Sequence, residues 1–243
     1  MCYHYSIART AEEIARKYKI DLKPAGIRPE PLYYHVNGFD HKYLPVVLQD
    51  YKSGDLKLEF MQWGLVPGWV KGEEQALKMR SVMLNARAET ADSKPGFRAA
   101  FTYRPCLVPA TGYFEWMHFK GKKYPYYLFM TSYDLFSFAG IWEEWVNHGT
   151  GEILRSFSII TCPANELASG IHNTKKRMPV IMEPDSETMW LDTNRRKQDR
   201  KLLLRPLPAG KMDAYSVGRL ITSRDKESNV PEVLARYDFP ELS

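Results

Sequence analysis

A cysteine at position 2, directly behind Met1, has an unusual chemistry open to it. If the methionine is removed, Cys2 carries an α-amine of pKa about 8 and a thiol of pKa about 8.5 on adjacent carbons. Such a pair captures aldehydes: the amine condenses to an imine, the thiolate adds to the imine carbon, and a five-membered thiazolidine closes. The plain alternative is a residue at a frayed chain end. Three further stretches hold chemically useful side chains. They are residues 84–90 (L-N-A-R-A-E-T), residues 105–116 (P-C-L-V-P-A-T-G-Y-F-E-W), and Ile171-His172 followed by Arg177-Met178-Pro179-Val180. Each also has a bland reading. Asn85 could cap a helix, and Arg87 with Glu89 could be an exposed ion pair of small value. Glu115, among apolar neighbours, is either solvent-facing or an inward carboxyl with a raised pKa. His172 could satisfy a core hydrogen bond. No Ser-His-Asp order or phosphate-cradling glycine loop competes with this set. The other nucleophilic arrangement is Cys2 with His172 as a thiol hydrolase.

The elements that must position these residues are short. The chain has 243 residues, 44% of them hydrophobic and 26% charged, as expected of a globular protein that buries a core. Aromatics reach 13%, a surplus that suits a β-rich core or stacking surfaces for bases. A net charge of +5 is compatible with a phosphate-bearing partner without demanding one. The three cysteines (Cys2, Cys106, Cys162) form no C-x-x-C pair and no disulfide framework, and no cluster has zinc-ligand spacing. Neither a metal nor another cofactor is called for. No apolar run approaches a membrane span and no leader is evident, so a cytoplasmic protein is expected.

Thr10 and Glu13 make a capping box ahead of a helix over residues 11–18, and residues 23–31, with three prolines and a glycine, read as a loop. Strands are expected at 32–36, 46–48, 56–63, 107–109, 112–117, 126–130, 136–141, 153–161 and 179–182. Residues 64–69 (G-L-V-P-G-W) read as a shaped loop, and 142–151 as a loop with Asn147-His148-Gly149 at its tip. Helices are expected at 73–80, 97–101, 164–169, 186–191 and 195–204. Beyond Pro206 the chain reads as an irregular tail with a strand at 214–217. Without repeats or a linker, one α+β domain spanning residues 1–243 is expected, strand-rich, with antiparallel, barrel-like sheets and flanking short helices. A closed domain of this kind suits a monomer.

Taken together, Cys2, the W-G-L-V-P-G-W of residues 63–69, the N-A-R-A-E-T of 85–90, the G-Y-F-E-W of 112–116, the F-A-G-I-W of 138–142 and the R-M-P-V-I of 177–181 resemble the SRAP (SOS response-associated peptidase) family. The resemblance runs from Cys2 to about residue 191. It implies an abasic-site sensor whose mature N-terminal Cys2 crosslinks to the ring-opened aldehyde of an abasic site in single-stranded DNA. Asn85 would position Cys2, Glu115 would move protons, and His172 would protonate the sugar oxygen. Arg87 and Arg177 would contact phosphates, and Trp63 and Trp116 would be base-stacking candidates, with core packing the alternative for both. The resemblance also implies possible autoproteolytic loss of Met1 and a lyase side activity, β-elimination from an unclosed imine.

Two departures stand out. Family members continue Met-Cys-Gly-Arg, whereas Tyr3-His4 follow Cys2 here, which removes a phosphate-binding arginine. Asn173-Thr174-Lys175-Lys176 separate His172 from Arg177, an insertion that sets Lys175 and Lys176 beside the expected DNA path. Arg195-Arg196-Lys197 reads as a solvated helix face. The competing functions are a thiol peptidase or amidohydrolase, for which no oxyanion hole is identifiable, and a noncovalent single-strand-binding module.

Overall fold

The computed structural model describes residues 2–22, 32–223 and 225–242. The expected loop at 23–31 lies outside the described residues. In chain order the elements are β1 (His4–Ile7), α1 (Ala11–Tyr18), β2 (Tyr33–Asn37), β3 (Tyr43–Gln49), β4 (Leu56–Trp63), α2 (Glu73–Val82), β5 (Asn85–Arg87), α3 (Arg98–Tyr103), β6 (Pro105–Ala110), β7 (Gly112–Phe119), β8 (Lys122–Met130), β9 (Phe136–Val146), β10 (Ile153–Pro163), α4 (Glu166–Ile171), β11 (Arg177–Pro179), β12 (Ile181–Met182), α5 (Pro184–Leu191), α6 (Lys197–Lys201) and β13 (Met212–Ser216).

Two sheets carry the fold. The larger closes on itself: β10 pairs with β4, β4 with β3, β3 with β6, β6 with β9, and β9 again with β10. Closure into a five-stranded ring removes the edges that an open sheet would leave unpaired. Short β5, β11 and β12 attach to β10 and β9. The smaller sheet has the order β13-β8-β7-β1-β2. One hydrophobic core runs through both, from Cys2 and Tyr5 to Trp63, Phe138, Phe157 and Trp190. The fold is therefore α+β and strand-dominated, with helices that are short and peripheral.

Helix α1 begins as its sequence dictates. The Glu13 amide donates to Thr10 Oγ1 at 3.3 Å, and the Thr10 amide donates to Glu13 Oε2 at 2.7 Å. Three readings need correction. Residues 142–146 do not form a loop. They extend β9, because Trp145 and Glu143 are buried and Glu143 is paired with Arg104, leaving only the tip as a turn. The helix expected at 195–204 shrinks to Lys197–Lys201, pinned by Arg200, whose guanidinium is buried against the Phe101 and Trp190 rings. The tail is less irregular than its composition suggests. β13 pairs along β8, and Val217, Ile221 and Val233 close a second small core over Phe114 and Tyr127.

Cys2 does not sit in a frayed segment. β1 starts two residues after Cys2 and lies between β2 and β7, with Tyr5 opposite Tyr113 and His4 opposite Phe114. This pairing draws Cys2 into the core at zero exposure. No helix among the described residues is long and apolar enough to cross a membrane.

Candidate active site

Cys2 is held from two sides. Its Sγ donates to the His4 carbonyl at 3.7 Å, and its own carbonyl accepts from Asn85 Nδ2 at 2.8 Å. Asn85 reaches it because β5 runs parallel to β10, with Asn85 beside Ile159. The helix-cap reading of Asn85 thus falls away. Its Oδ1 is buried and has no hydrogen-bond partner among the described residues, so the amide keeps one acceptor in reserve beside Cys2. Burial pushes the Cys2 thiol well above its usual pKa, and the Glu115 charge adds to that shift. A thiol in this state stays protonated until something takes its proton.

Glu115 is the inward residue of a strand whose burial runs continuously from Gly112 to Glu115. Only 5% of it is exposed, and burial raises its pKa to about 8. A carboxyl poised near neutrality can both give and accept a proton, which is what an acid–base group in a condensation requires. The solvent-facing reading of Glu115 is excluded.

His172 arrives by a different route. Asn165 caps α4, its Oδ1 accepting from the Ala168 amide at 2.8 Å, so the helix ends at Ile171 and His172 becomes its C-cap. The four inserted residues loop out. The Lys176 amide donates to the His172 carbonyl at 2.8 Å, and Lys176 adopts a positive φ of 49°. Asn173 ties the insertion to β7, accepting from the His118 amide at 3.1 Å and donating to its carbonyl at 2.8 Å. With the insertion folded back in this way, His172 faces Glu115. Its Nδ1 lies 2.9 Å from the Arg177 carbonyl and 3.4 Å from Glu115 Oε1. The carbonyl can only accept, which favours the neutral tautomer protonated at Nδ1, and burial lowers the ring's pKa in the same direction.

A cavity of about 380 Å³ opens beside this group, and Glu115 and His172 share its lining with Trp116, Lys175, Lys123 and His118. The two phosphate-binding candidates differ. Arg87 is exposed at the end of β5 and forms no ion pair among the described residues. Arg177 instead grips Glu89 with both Nη atoms, and its Nη2 also donates to the Thr161 carbonyl at 2.6 Å. Glu89 thus pairs with Arg177 rather than with Arg87, and this contact lowers its pKa. Lys175 lines the cavity, and Lys176 stands exposed at the turn.

The two tryptophans separate cleanly. Trp116 lines the cavity, half-buried, with His4 against its ring at 4.8 Å. Trp63 is not available for stacking on bases, which corrects that assignment. It is fully buried, its Nε1 donates to the Leu84 carbonyl at 2.8 Å, and its ring stacks on Phe157. The exposed aromatic of that segment is Trp69, at 51% exposure. Sequence reasoning also passed over Lys123 and His118 of the β7–β8 hairpin, whose place on the cavity wall depends on strand pairing invisible in their local pattern. Among the described residues, no group of three or more His, Cys, Asp or Glu side chains is arranged to hold a metal ion.

A closed strand ring and a second sheet thus bury Cys2 beside Asn85, near the Glu115–His172 pair. The chain belongs to the SOS response associated peptidase (SRAP) family, whose model matches residues 1–224. It is 33% identical over 240 residues to the abasic site processing protein YoqW of Bacillus subtilis, covering 98% of this chain and 100% of that one. To the abasic site processing protein YoaM of the same organism it is 34% identical over 231 residues, covering 94% and 96%. A solved crystal structure of a protein from Bacteroides thetaiotaomicron is 37% identical with a TM-score of 0.88, covering 97% of this chain and 100% of that one.

Proposed function

We propose that the protein processes abasic sites in single-stranded DNA by forming a covalent thiazolidine between Cys2 and the ring-opened sugar aldehyde, after loss of Met1. One observation carries this reading: residues 2, 85, 115 and 172, scattered over the chain, meet at one buried point beside a cavity wide enough for a sugar. Kinship with proteins named for abasic site processing supports it.

The atoms balance without an oxidant. The amine and the thiol give up one proton each in all, and the aldehyde oxygen takes up two to leave as water. Glu115, with its pKa near 8, takes a proton from the amine and returns one to the leaving hydroxyl of the carbinolamine. Asn85 orients Cys2 through its carbonyl. His172 promotes opening of the sugar ring. Closure of the thiazolidine removes the imine, and with it the route to β-elimination, so the strand is shielded. Elimination before closure is the lyase side reaction, and Glu115 also serves hydrolysis of the Met1–Cys2 bond where the chain processes itself. Arg87 and Lys175 meet backbone phosphates, with Arg177 and Lys176 behind them, and Trp116 offers a face to a base. The protein acts as a monomer in the cytoplasm.

The test is incubation of the mature chain with single-stranded DNA carrying an abasic site, followed by a denaturing gel. A shifted band that Cys2→Ala abolishes is expected. No shift with wild type, once mass spectrometry has verified Met1 removal, would overturn the reading.

A further inference from the structure

His4 stands where the family pattern has an arginine, and its surroundings are those of a conducting group rather than a charged one. It opens β1 on the face opposite Tyr5, packs its ring edge-on against Trp116, and lines the cavity with Glu115 and His172. Behind it lies His35 of β2. The two rings are nearly parallel, 17° apart, with centroids 5.1 Å apart, and His4 Nδ1 is 2.9 Å from His35 Nε2. His35 Nδ1 is in turn 2.7 Å from Ser228 Oγ. His35 is itself only 5% exposed and is braced edge-on by Phe114.

The far end of this row is held deliberately in place. Asn229 accepts from the amides of Tyr34 at 2.8 Å and His35 at 3.3 Å, and donates to the Leu32 carbonyl at 3.1 Å. Ser228 is thereby fixed at the edge of β2, partly open to solvent. It lies beyond residue 224, where the match to the family model ends.

Burial holds both imidazoles neutral, with His4 lowered to about 3 and His35 to about 4; the nearby Lys42 opposes protonation of His35 further. A row of two neutral imidazoles and a hydroxyl has two orientations. With Ser228 donating to His35 and His35 donating to His4, the outer nitrogen of His4 carries a proton toward the cavity. With every bond reversed, that nitrogen is bare and accepts one.

We propose that Ser228, His35 and His4 form a proton relay that connects the outer surface to the cavity beside Cys2, Glu115 and His172. The relay rests on the crosslinking reading above and serves it. Dehydration of the carbinolamine needs a proton before ring closure releases the thiol's, and a DNA strand over the cavity cuts the site off from bulk water. Glu115 gives that proton to the leaving hydroxyl, and an inward transfer through the relay replaces it on Glu115. The outward transfer at closure removes the second and returns the row to its starting orientation, so no net charge is left buried.

The experiment is the single-turnover rate of adduct formation by the mature full-length chain with an abasic single-stranded oligonucleotide. His35→Phe keeps an aromatic ring in place and is expected to slow the reaction about tenfold or more, in keeping with the loss of a proton-transfer group. Ser228→Ala is expected to slow it several-fold, and it stands in should His35→Phe fail to melt like wild type. His35→Ala is expected to recover rate when imidazole is added, which a packing role alone does not produce. Rates within about twofold of wild type in both His35→Phe and Ser228→Ala overturn the relay, as does a slow His35→Ala that imidazole leaves unchanged. Wild type without adduct overturns the crosslinking reading and the relay with it; wild-type adduct with indifferent variants overturns the relay alone.

Discussion

The buried cluster and the exposed cations that follow Asn85 and His172 in the chain obey different physics. Glu115, His172, Asn85 and Cys2 are nearly sealed from water, so the ionisation of Glu115, His172 and Cys2 is set chiefly by desolvation and by neighbouring charges. Arg87, Lys175 and Lys176 stand in solvent, where charges are screened within about 8 Å at physiological salt. Chemistry in the first region should therefore respond to pH and to single-atom substitutions. Binding in the second should respond to ionic strength and should be spread over several residues.

Glu115→Gln is the largest lever on that contrast after removal of Cys2 itself. It keeps the shape of the carboxyl and removes the proton exchange, so adduct formation should fall by about 10² or more, while noncovalent DNA affinity stays near wild type. The stability effect has the opposite sign. A carboxyl whose pKa is raised to about 8 in the folded state favours folding only while protonated. Its folded form binds more protons than the unfolded chain between the ordinary carboxylate pKa and about 8, so stability falls as pH rises through that window. Denaturant melts at pH 6 and pH 9 should show wild type losing stability relative to Glu115→Gln at the higher pH. A constant gap between the two proteins would mean that Glu115 is not held protonated.

Trp63 and Trp116 make the same comparison with one residue type. Trp63→Ala removes a fully buried ring and its hydrogen bond, and should cost about 3–5 kcal/mol of stability, read from thermal melts. Trp116→Ala removes a half-buried ring at the cavity and should leave the melt nearly unchanged while weakening binding to single-stranded DNA by about 1–3 kcal/mol. The reverse assignment of losses would place the stacking surface elsewhere.

What the sequence made legible follows the same division. Cys2, Asn85, Glu115 and His172 could be picked out because each lies in a motif whose chemistry depends on residue type, and the structure brings all four together. Helix α1 and strand β4 were legible because capping and alternation are local signals. For Trp63 the sequence leaves stacking and core packing both open, because local pattern cannot distinguish a tryptophan ending an inner barrel strand from one lining a cavity; that depends on β10 running beside it. The engagement of Arg177 is hidden for the same reason: its partner Glu89 is distant in sequence and reaches it only because β5 and β11 both attach to β10. The insertion after His172 reads as a displacement along the chain, yet a tight turn and the Asn173 clasp on His118 absorb it.

The smallest expected effects separate the two arginines. Arg87 is exposed without an ion pair among the described residues, so Arg87→Ala should leave stability within about 0.5 kcal/mol of wild type. It should weaken noncovalent binding to single-stranded DNA and reduce the slope of log K against log salt by about 0.7, the value for one phosphate contact on a single strand. Arg177→Ala should do the converse. Its side chain is mostly buried and holds together Glu89 and the Thr161 carbonyl, so its removal strands the buried carbonyl and should cost about 1–3 kcal/mol of stability. The salt slope should then change little, because a guanidinium already occupied by a carboxylate releases few counterions from DNA. Titrations of both variants at three salt concentrations decide the matter. A slope reduced equally in the two would show that Arg177 exchanges Glu89 for phosphate when DNA arrives, and that the cationic region reaches further into the cluster than the unliganded geometry implies.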